Sequence, residues 1–278
     1  MPELPEAETI RRQLAPKVIG EIINDAWAKL PRRTLPSIEE FIPRVQGRRI
    51  VAAARRGKQL YFPLDNGDNL LVHLGMTGRL TVEKSTFTFP SAPRHVQAAL
   101  TLSNGKQLIF RDPRTFGSIG VSRDLSFLEK LGAEPLDDDF DAENIAQKLK
   151  ARNTKIKSAL LDQSLIAGLG NIYADEACFE ARIHPAQIAS TISLQKLREL
   201  CRILRPLLER AIAARGATLK DKGYEDIFGQ HGKFIPHVYG RTGELCDNCG
   251  AIIKRGVLGT SKTARSYHFC PKCQKLGT

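Results

Sequence analysis

Four cysteines near the C-terminal end place the strongest constraint on how this chain folds. They form two pairs, Cys246-x2-Cys249 and Cys270-x2-Cys273, and 20 residues separate the pairs. This spacing is typical of a four-thiolate structural zinc site, and we expect such a short, core-poor segment to need the metal in order to fold. Two disulfides are the alternative, which a reducing compartment disfavours. Because all four predicted ligands are cysteines, no coordination position stays open for catalysis.

The charge of the chain points to a polyanionic partner. The formal net charge is +12, and nucleic acid is the first candidate, with an anionic membrane surface as the second. Against one acid, Asp247, the cysteine-bearing segment carries Lys254, Arg255, Lys262, Arg265, Lys272 and Lys275. A metal-bound hairpin with these cations suits contact with phosphates. The lack of a basic amphipathic anchor helix disfavours the membrane.

Length and composition indicate a globular protein of about two domains. The chain has 278 residues, of which 42% are hydrophobic, and no run of 18 or more apolar residues predicts a membrane span. The N-terminus lacks the apolar segment of a signal peptide, so we expect a cytoplasmic or nucleoid location. One complete site per chain makes a monomer the expected state. Cys178 and Cys201 stand alone in helical sequence and are expected to be buried.

The hydrophobic pattern divides the chain into a strand-rich part and a helical part. Residues 20–125 contain short strand-like segments, and the turn pairs Asn66-Gly67 and Asn104-Gly105 predict hairpins within an antiparallel sandwich or barrel. From 141 to about 215 the pattern is helical. The irregular segment 217–237 then leads into the cysteine-bearing module.

The first residues carry the best candidate for a nucleophile. If Met1 is removed, the chain begins with Pro2, whose secondary amine can attack a masked aldehyde carbon and form an iminium. Glu3 and Glu6 lie within reach as proton donors or orienting groups. A helix is predicted to follow, to end at Pro16 and to bury one face, formed by Ala7, Ile10 and Leu14. The dipole at its N-terminus disfavours a charged amine. The alternative is a frayed acidic terminus without a function.

A glycine-bearing turn separates two helical segments in residues 166–176. Gly168 and Gly170 interrupt the helical pattern, and Asn171 stands at the predicted N-cap of the next helix. Exposed N–H groups at a helix N-terminus form an anion site. An ordinary helical hairpin, in which the glycines only allow close packing, explains the pattern equally well.

Three motifs in this order resemble the bacterial formamidopyrimidine-DNA glycosylase family. They are Pro2-Glu3-Leu4-Pro5-Glu6-Ala7-Glu8-Thr9, Gly168-Leu169-Gly170-Asn171-Ile172-Tyr173-Ala174-Asp175-Glu176 and the two cysteine pairs, and the match covers nearly the whole chain. The resemblance implies an α+β multidomain fold: an N-terminal antiparallel β-sandwich (1–132), a helix-two-turn-helix domain with a lesion-covering loop (133–237) and a zinc finger (238–278). It also implies removal of oxidised purines, such as 8-oxoguanine and formamidopyrimidines, from damaged double-stranded DNA, with β- and δ-elimination of the strand.

The resemblance assigns a role to each candidate residue. Pro2 would attack C1′ of the damaged nucleotide, Glu3 would act as the general acid, and Glu6 would hold the site by hydrogen bonds. Lys58 would bind phosphate and assist the eliminations. The positions that would contact phosphates are His73, Asn171, Tyr239 and Arg265. Those that would fill the gap left by an extruded nucleotide are Met76, Arg114 and Phe116. Burial of Met76 and Phe116 in the core is the alternative for those two.

Two other functions remain open from the sequence. The sister enzyme endonuclease VIII prefers oxidised pyrimidines, although Leu4 and the loop around Met76 favour the purine enzyme. A non-enzymatic zinc-finger protein that detects distorted duplex would bind DNA with strong salt dependence and release no base. Two segments depart from the family pattern, namely 217–235 and the stretch between the cysteine pairs, so the sequence leaves the preferred base open.

Overall fold

The computed structural model describes residues 2–84, 88, 91–218, 224–260 and 264–277. These residues divide into two compact units. The first contains the chain up to Glu129 together with Arg215–Lys233, and the second contains Lys130–Ala214 and the chain from Phe234 onward. Of the predicted features, residues 219–223 of the loop and Lys262 lie outside the described residues. The bounds of the three domains that the resemblance implies stay a prediction.

The first unit begins with helix α1, Leu4–Val18. Its buried face contains Leu4, Ala7, Ile10, Leu14 and Val18. The predicted end at Pro16 is wrong, because Pro16 lies inside the helix. The Ile19 N–H still donates to the Ala15 carbonyl at 3.1 Å, and Val18 is fully buried, so packing maintains the last turn beyond the proline.

Strands β1–β9 of the first unit form two sheets. Their bounds are β1 Ile23–Ala28, β2 Thr34–Leu35, β3 Ala54–Arg56, β4 Gln59–Pro63, β5 Asn69–His73, β6 Arg79–Lys84, β7 Val96–Leu102, β8 Lys106–Arg111 and β9 Ser118–Ser122. One sheet has the order β1-β7-β8-β6 and the other the order β2-β9-β5-β4-β3. Neighbouring strands are antiparallel except for the short β2–β9 pair. The predicted antiparallel β domain is therefore confirmed.

Side chains from α1 and from both sheets form one apolar core. Leu14 of α1, Phe62 of β4 and Phe110 of β8 belong to the same buried cluster. Helix α2, Ile38–Val45, adds Phe41 and Val45 to this cluster. The short helix α3, Ser126–Glu129, and a 3-10 turn at Pro31–Arg33 complete the regular elements described in this unit. The core fixes α1 against the sheets and so determines where the N-terminal residues lie.

Both predicted Asn-Gly turns join neighbouring strands. Gly67 lies in the β4–β5 connection with φ +83°, and Gly105 lies in the β7–β8 connection with φ +75°. The side-chain oxygen of each preceding asparagine accepts the backbone N–H two residues further on, at 3.0 Å in both turns. An asparagine that closes the turn and a glycine that accepts positive φ explain why this pair predicts hairpins.

The second unit contains helices and a small two-stranded sheet. The helices are α4 Ala142–Lys150, α5 Ile156–Leu160, α6 Asn171–Glu180 and α7 Leu194–Ala213, with a 3-10 turn at Ala189–Thr191. The strands are β10 Lys254–Leu258 and β11 Arg265–Phe269, which pair antiparallel. The predicted helical segment is confirmed. Cys178 on α6 and Cys201 on α7 are fully buried as expected, and burial raises the pKa of Cys201 to about 12.

The predicted N-cap of α6 is wrong by one residue. Gly170 is the N-cap, and its carbonyl accepts the Ala174 N–H at 3.1 Å, so Asn171 is the first helical residue. The side-chain Oδ1 of Asn171 is buried and has no hydrogen-bond partner among the described residues. Asn171 thus does not cap its own helix, and its amide is free of that role.

Within the described residues, we find no helix with the length and apolarity of a membrane span.

Candidate functional site

Glu6 connects the N-terminal residues to a distant segment of the first unit. Its Oε2 accepts the Glu3 N–H at 2.8 Å, and its Oε1 accepts the Ala217 N–H at 2.8 Å. Pro2, Glu3 and Glu6 are all buried. The N-terminal residues are therefore fixed rather than frayed. The sequence indicated an orienting role for Glu6 but gave no sign of its second partner, because Ala217 lies 211 residues away.

Gly216 makes the contact between Glu6 and this segment possible. Its φ is +83°, and a Cβ on it would lie 2.7 Å from Glu6 Oε1. We expect Gly216→Ala to lower the free energy of unfolding by about 1–2 kcal/mol and to slow any reaction at the N-terminus about 10-fold, since Glu6 must move. Chemical denaturation and single-turnover kinetics measure the two effects.

Gly105→Ala is the matched control for this prediction. Gly105 has a similar φ of +75°, but a Cβ there meets nothing within 4 Å. Backbone strain in Gly105→Ala should therefore lower the free energy of unfolding, but the rate of the reaction at the N-terminus should stay unchanged. Equal rates for the two variants would contradict a role of the Gly216–Glu6 contact.

Lys58 lies in the tight turn between β3 and β4, next to Gly57 with φ +56°. Burial lowers the pKa of its ammonium, while the carboxylates of Glu3 and Glu6 act in the opposite direction. The predicted lysine is therefore within electrostatic range of both predicted acids. A lysine with a lowered pKa beside two carboxylates is a functional-site candidate.

His73 ends β5 and lies opposite Gln59, the residue after Lys58. Its Nδ1 accepts the Gly75 N–H at 3.2 Å, so the neutral ring carries its proton on Nε2. Burial lowers the pKa of His73, and the charge of Lys58 lowers it further. The neutral imidazole thus offers one N–H donor near Lys58, which suits contact with a phosphate oxygen.

Met76 and Phe116 lie on two turns of the first unit that Asp112 connects. The buried Asp112 carboxylate accepts from the Thr77 hydroxyl at 2.6 Å and from the Gly117 N–H at 2.7 Å. Met76 is 37% exposed and Phe116 is 46% exposed, which excludes the alternative that they are core residues. Apolar side chains held at the surface are suited to insertion between bases.

Arg114 belongs to the same surface. Its guanidinium lies 4.9 Å from the centre of the Phe116 ring, and its backbone N–H donates to Asp112 at 3.2 Å. Sequence reasoning identified the three exposed side chains but missed Asp112 as the residue that holds both turns. The sequence could have indicated this role for Asp112, because an acid directly before a Pro-containing turn commonly accepts backbone N–H groups.

Lys157 lies where three segments of the second unit meet, and each segment carries one residue that is predicted to contact a phosphate: Asn171, Tyr239 or Arg265. Its fully buried Nζ donates to the Asn171 carbonyl at 3.4 Å and to the Ser266 carbonyl at 2.7 Å. It also lies 5.9 Å from the centre of the Tyr239 ring. Because Arg265 precedes Ser266 on β11, residues from three separate segments converge around one ammonium group. The sequence gave no indication of this lysine.

Two acids of α6 hold the C-terminal segment within the second unit. Asp175 is paired with Lys157 at 2.8 Å and accepts the His268 N–H at 2.8 Å. Glu176 is fully buried and accepts the backbone N–H groups of His237, Val238 and Tyr239 at 2.7–3.0 Å. The Asp-Glu pair at the end of the family motif is therefore structural. Two acids on the buried face of a helix were the signal that could have identified them.

Glu176→Gln is expected to lower the free energy of unfolding by about 1–3 kcal/mol, because the amide nitrogen cannot accept one of these three N–H groups. Glu180→Gln on the same helix is the control, since the contact of the Glu180 side chain among the described residues is a partly exposed ion pair with Arg210. The control should change stability by less than about 1 kcal/mol. Urea denaturation measures both values, and equal losses would contradict a special role for Glu176.

The four predicted metal ligands meet in the second unit. Their sulfur atoms lie within 4.8 Å of one another, with 3.9 Å between Cys246 and Cys273 and 3.4 Å between Cys249 and Cys270. A disulfide would place two sulfurs about 2.05 Å apart, which excludes the disulfide alternative. Tetrahedral zinc with bonds of about 2.3 Å separates its sulfurs by about 3.8 Å. The cluster therefore has the geometry of a structural metal site.

Gln274 fixes this cluster to the helical part of the unit. Its Oε1 accepts the Cys270 N–H at 2.9 Å, and its Nε2 donates to the Ile183 carbonyl at 2.9 Å. The Cys273 N–H points at the Cys270 sulfur at 3.4 Å. These contacts hold the second cysteine pair in place against the helical part of the unit.

The chain matches known proteins over its whole length. The formamidopyrimidine-DNA glycosylase N-terminal domain matches residues 1–119, and the H2TH domain of the same family matches residues 131–223. A formamidopyrimidine-DNA glycosylase from Herpetosiphon aurantiacus is 40% identical over 283 aligned positions, covering 99% of this chain and all of the relative.

Solved structures give the same result. The Fpg protein of Thermus thermophilus is 39% identical with a TM-score of 0.87, and each chain covers 100% of the other. The Lactococcus lactis enzyme in complex with DNA that contains Fapy-dG is 34% identical with a TM-score of 0.87, covering 98% of this chain and 100% of that one. The chain belongs to the formamidopyrimidine-DNA glycosylase family.

Proposed function

We propose that this chain is a bifunctional DNA glycosylase and AP lyase that removes oxidised purines, such as 8-oxoguanine and formamidopyrimidines, from duplex DNA. The observation that supports the chemistry most directly is the Glu6 carboxylate, which accepts the N–H of Glu3, the residue next to Pro2, and also accepts the N–H of Ala217. Family membership supports the substrate class, and a relative was solved with Fapy-dG in its DNA.

The reaction begins at the imino nitrogen of Pro2 after Met1 is removed. The nitrogen forms a bond to C1′ as the bond to the base breaks, and the base leaves with that electron pair and gains a proton. The nitrogen loses its own proton, which restores its lone pair. The C1′–O4′ bond then breaks, Glu3 protonates O4′, and the nitrogen lone pair forms the iminium. Loss of the C2′ proton expels the 3′ phosphate, and a second elimination expels the 5′ phosphate. Lys58 binds a flanking phosphate and assists both eliminations.

The remaining predicted residues hold the DNA in this proposal. His73, Asn171, Tyr239 and Arg265 contact phosphates, which the Nε2–H of His73 and the convergence around Lys157 support. Met76, Arg114 and Phe116 fill the space left by the extruded nucleotide, which their exposure supports. Filling this space offsets an unstacking cost of a few kcal/mol.

The metal in this proposal is one structural zinc ion. Four thiolates are a donor set that zinc prefers, and they leave no open position for substrate. The zinc keeps β10 and β11 folded, so that the cations of this hairpin face DNA. The expected partner is damaged double-stranded DNA, and the expected state is a monomer in the cytoplasm, associated with the nucleoid.

Base release from duplexes with 8-oxoguanine opposite each of the four bases tests this function. We expect release of the damaged base, cleavage on both sides of the sugar, and a covalent complex that borohydride traps. A Pro2→Gly variant that traps as well as the unaltered chain would contradict the special role of the secondary amine. Preference for oxidised pyrimidines would favour the endonuclease VIII-like alternative, and binding without release would favour a non-enzymatic damage detector.

A further inference from the structure

A buried ion pair connects the N-terminal helix to β3, the strand that leads into the turn that carries Lys58. Glu8 lies on α1, and its carboxylate accepts from the Arg55 Nε at 3.0 Å. Both side chains are nearly inaccessible, with 6% exposure for Arg55 and 7% for Glu8. Arg11 and Arg12 also donate to Glu8, at 2.7 Å each. Although burial alone would raise the pKa of Glu8, these arginines lower it to about 2.

Arg55 continues this connection to the peptide group before Lys58. Its Nη1 donates to the Gly57 carbonyl at 2.8 Å, while its Nε remains bonded to Glu8. The Gly57 carbonyl belongs to the same planar peptide group as the Lys58 nitrogen. Gly57 has φ +56°, a conformation that glycine adopts readily. One guanidinium therefore joins the peptide group before Lys58 to α1, which carries Glu6 and begins directly after Glu3.

We propose that Arg55 is a positioning residue for strand cleavage, which acts by holding Lys58 at a fixed place relative to the N-terminal nucleophile. This inference rests on the proposed role of Lys58 in the eliminations. Arg55 makes two hydrogen bonds with different nitrogens of one planar group, and lysine has a single nitrogen on a flexible stem. Arg55→Lys thus keeps the charge beside Glu8 but cannot bridge Glu8 and Gly57 in the same way.

The test uses the full-length protein and duplex DNA with a preformed abasic site. We expect Arg55→Lys to slow strand cleavage about 10- to 100-fold, the loss that a misplacement of about 1 Å can cause. Borohydride trapping, which reports the bond to Pro2, should stay within about 3-fold of the unaltered protein, because α1 keeps its own contacts. A variant that is merely less folded would lose trapping and cleavage in equal proportion.

Arg12→Lys is the matched control. Arg12 also donates to Glu8, at 2.7 Å from its Nε, but its side chain is 59% exposed and makes no described contact with the β3–β4 turn. Arg12→Lys should leave both cleavage and trapping unchanged. Equal loss of cleavage in the two variants would assign the effect to the hydrogen bonds that Glu8 accepts and overturn the proposal.

A double-variant cycle separates this inference from the function on which it rests. If Arg55 acts through Lys58, Arg55→Lys should cause no further loss of cleavage in a Lys58→Ala background. If Lys58→Ala alone leaves cleavage unchanged, the proposed role of Lys58 is wrong. If Lys58→Ala slows cleavage and Arg55→Lys does not, or if the two losses multiply, the positioning role of Arg55 is wrong.

Discussion

A variant with one alanine inserted between Met1 and Pro2 is expected to release damaged bases at least about 1000-fold more slowly than the unaltered chain. Removal of Met1 then exposes a primary amine on alanine, while the nitrogen of Pro2 becomes part of a tertiary amide. An amide nitrogen has no available lone pair to attack C1′. Single-turnover base release measures the loss, and mass spectrometry of the mature protein identifies its first residue.

The rest of the molecule should be little affected by this insertion. Pro2 and Glu3 precede α1, and the bonds of Glu6 to the Glu3 and Ala217 N–H groups do not involve the Pro2 nitrogen. We therefore expect duplex affinity at fixed salt and stability to remain close to those of the unaltered chain. An alanine inserted after Gly277 is the control and should change nothing. Undiminished base release by the N-terminal insertion would exclude Pro2 as the nucleophile.

Features that depend on neighbouring residues could be predicted from the sequence. The cysteine spacing predicted a metal site, and the four sulfurs do meet. The Asn-Gly pairs predicted hairpins, because the side-chain and backbone properties that form such turns belong to those two residues. The exposure of Met76 and Phe116 was predicted from the glycine and proline residues around them. In each case the physical cause lies within a few positions of the residue.

Features that depend on contacts between distant segments could not be predicted in this way. Glu176 binds backbone groups 61 to 63 residues away, and Lys157 binds a carbonyl 109 residues away. Arg55 and Glu8 are 47 residues apart. A hydrophobic pattern shows that a position is buried but not which polar group it meets there. The N-cap at Gly170 was missed for a related reason, since the Asn171 side chain was assumed to bond locally.

Removal of the metal is expected to unfold the C-terminal segment and to weaken duplex binding at least about 100-fold at fixed salt. The apolar cluster of this segment is small, with Val238, Ile253 and Phe179 around the cysteines. Structural zinc contributes about 10–16 kcal/mol in comparable small modules, far more than three apolar side chains supply. Without it, Arg265 and the cations of β10 lose the hairpin that holds them in place.

Hydrogen exchange can follow this unfolding at individual contacts. The N–H groups of Val238 and Tyr239 are bonded to Glu176, and that of His268 is bonded to Asp175. We expect these amides to exchange fast after chelation, whereas amides of α1 in the first unit keep their protection. Cys249→Ser should reproduce the effect of chelation. Cys201→Ala is the control, because Cys201 is a buried thiol of α7 outside the cluster.

The two units should therefore respond differently to the alanine insertion before Pro2 and to the loss of the metal. The alanine insertion before Pro2 should stop base release and preserve duplex binding, whereas loss of the metal should weaken duplex binding and preserve the hydrogen bonds of Glu6. At DNA concentrations far above the weakened Kd, the metal-free protein should still form a borohydride-trapped complex. Failure to trap even at saturation would show that the metal site also supports the geometry around Pro2, and unchanged exchange after chelation would show that the segment folds without a metal.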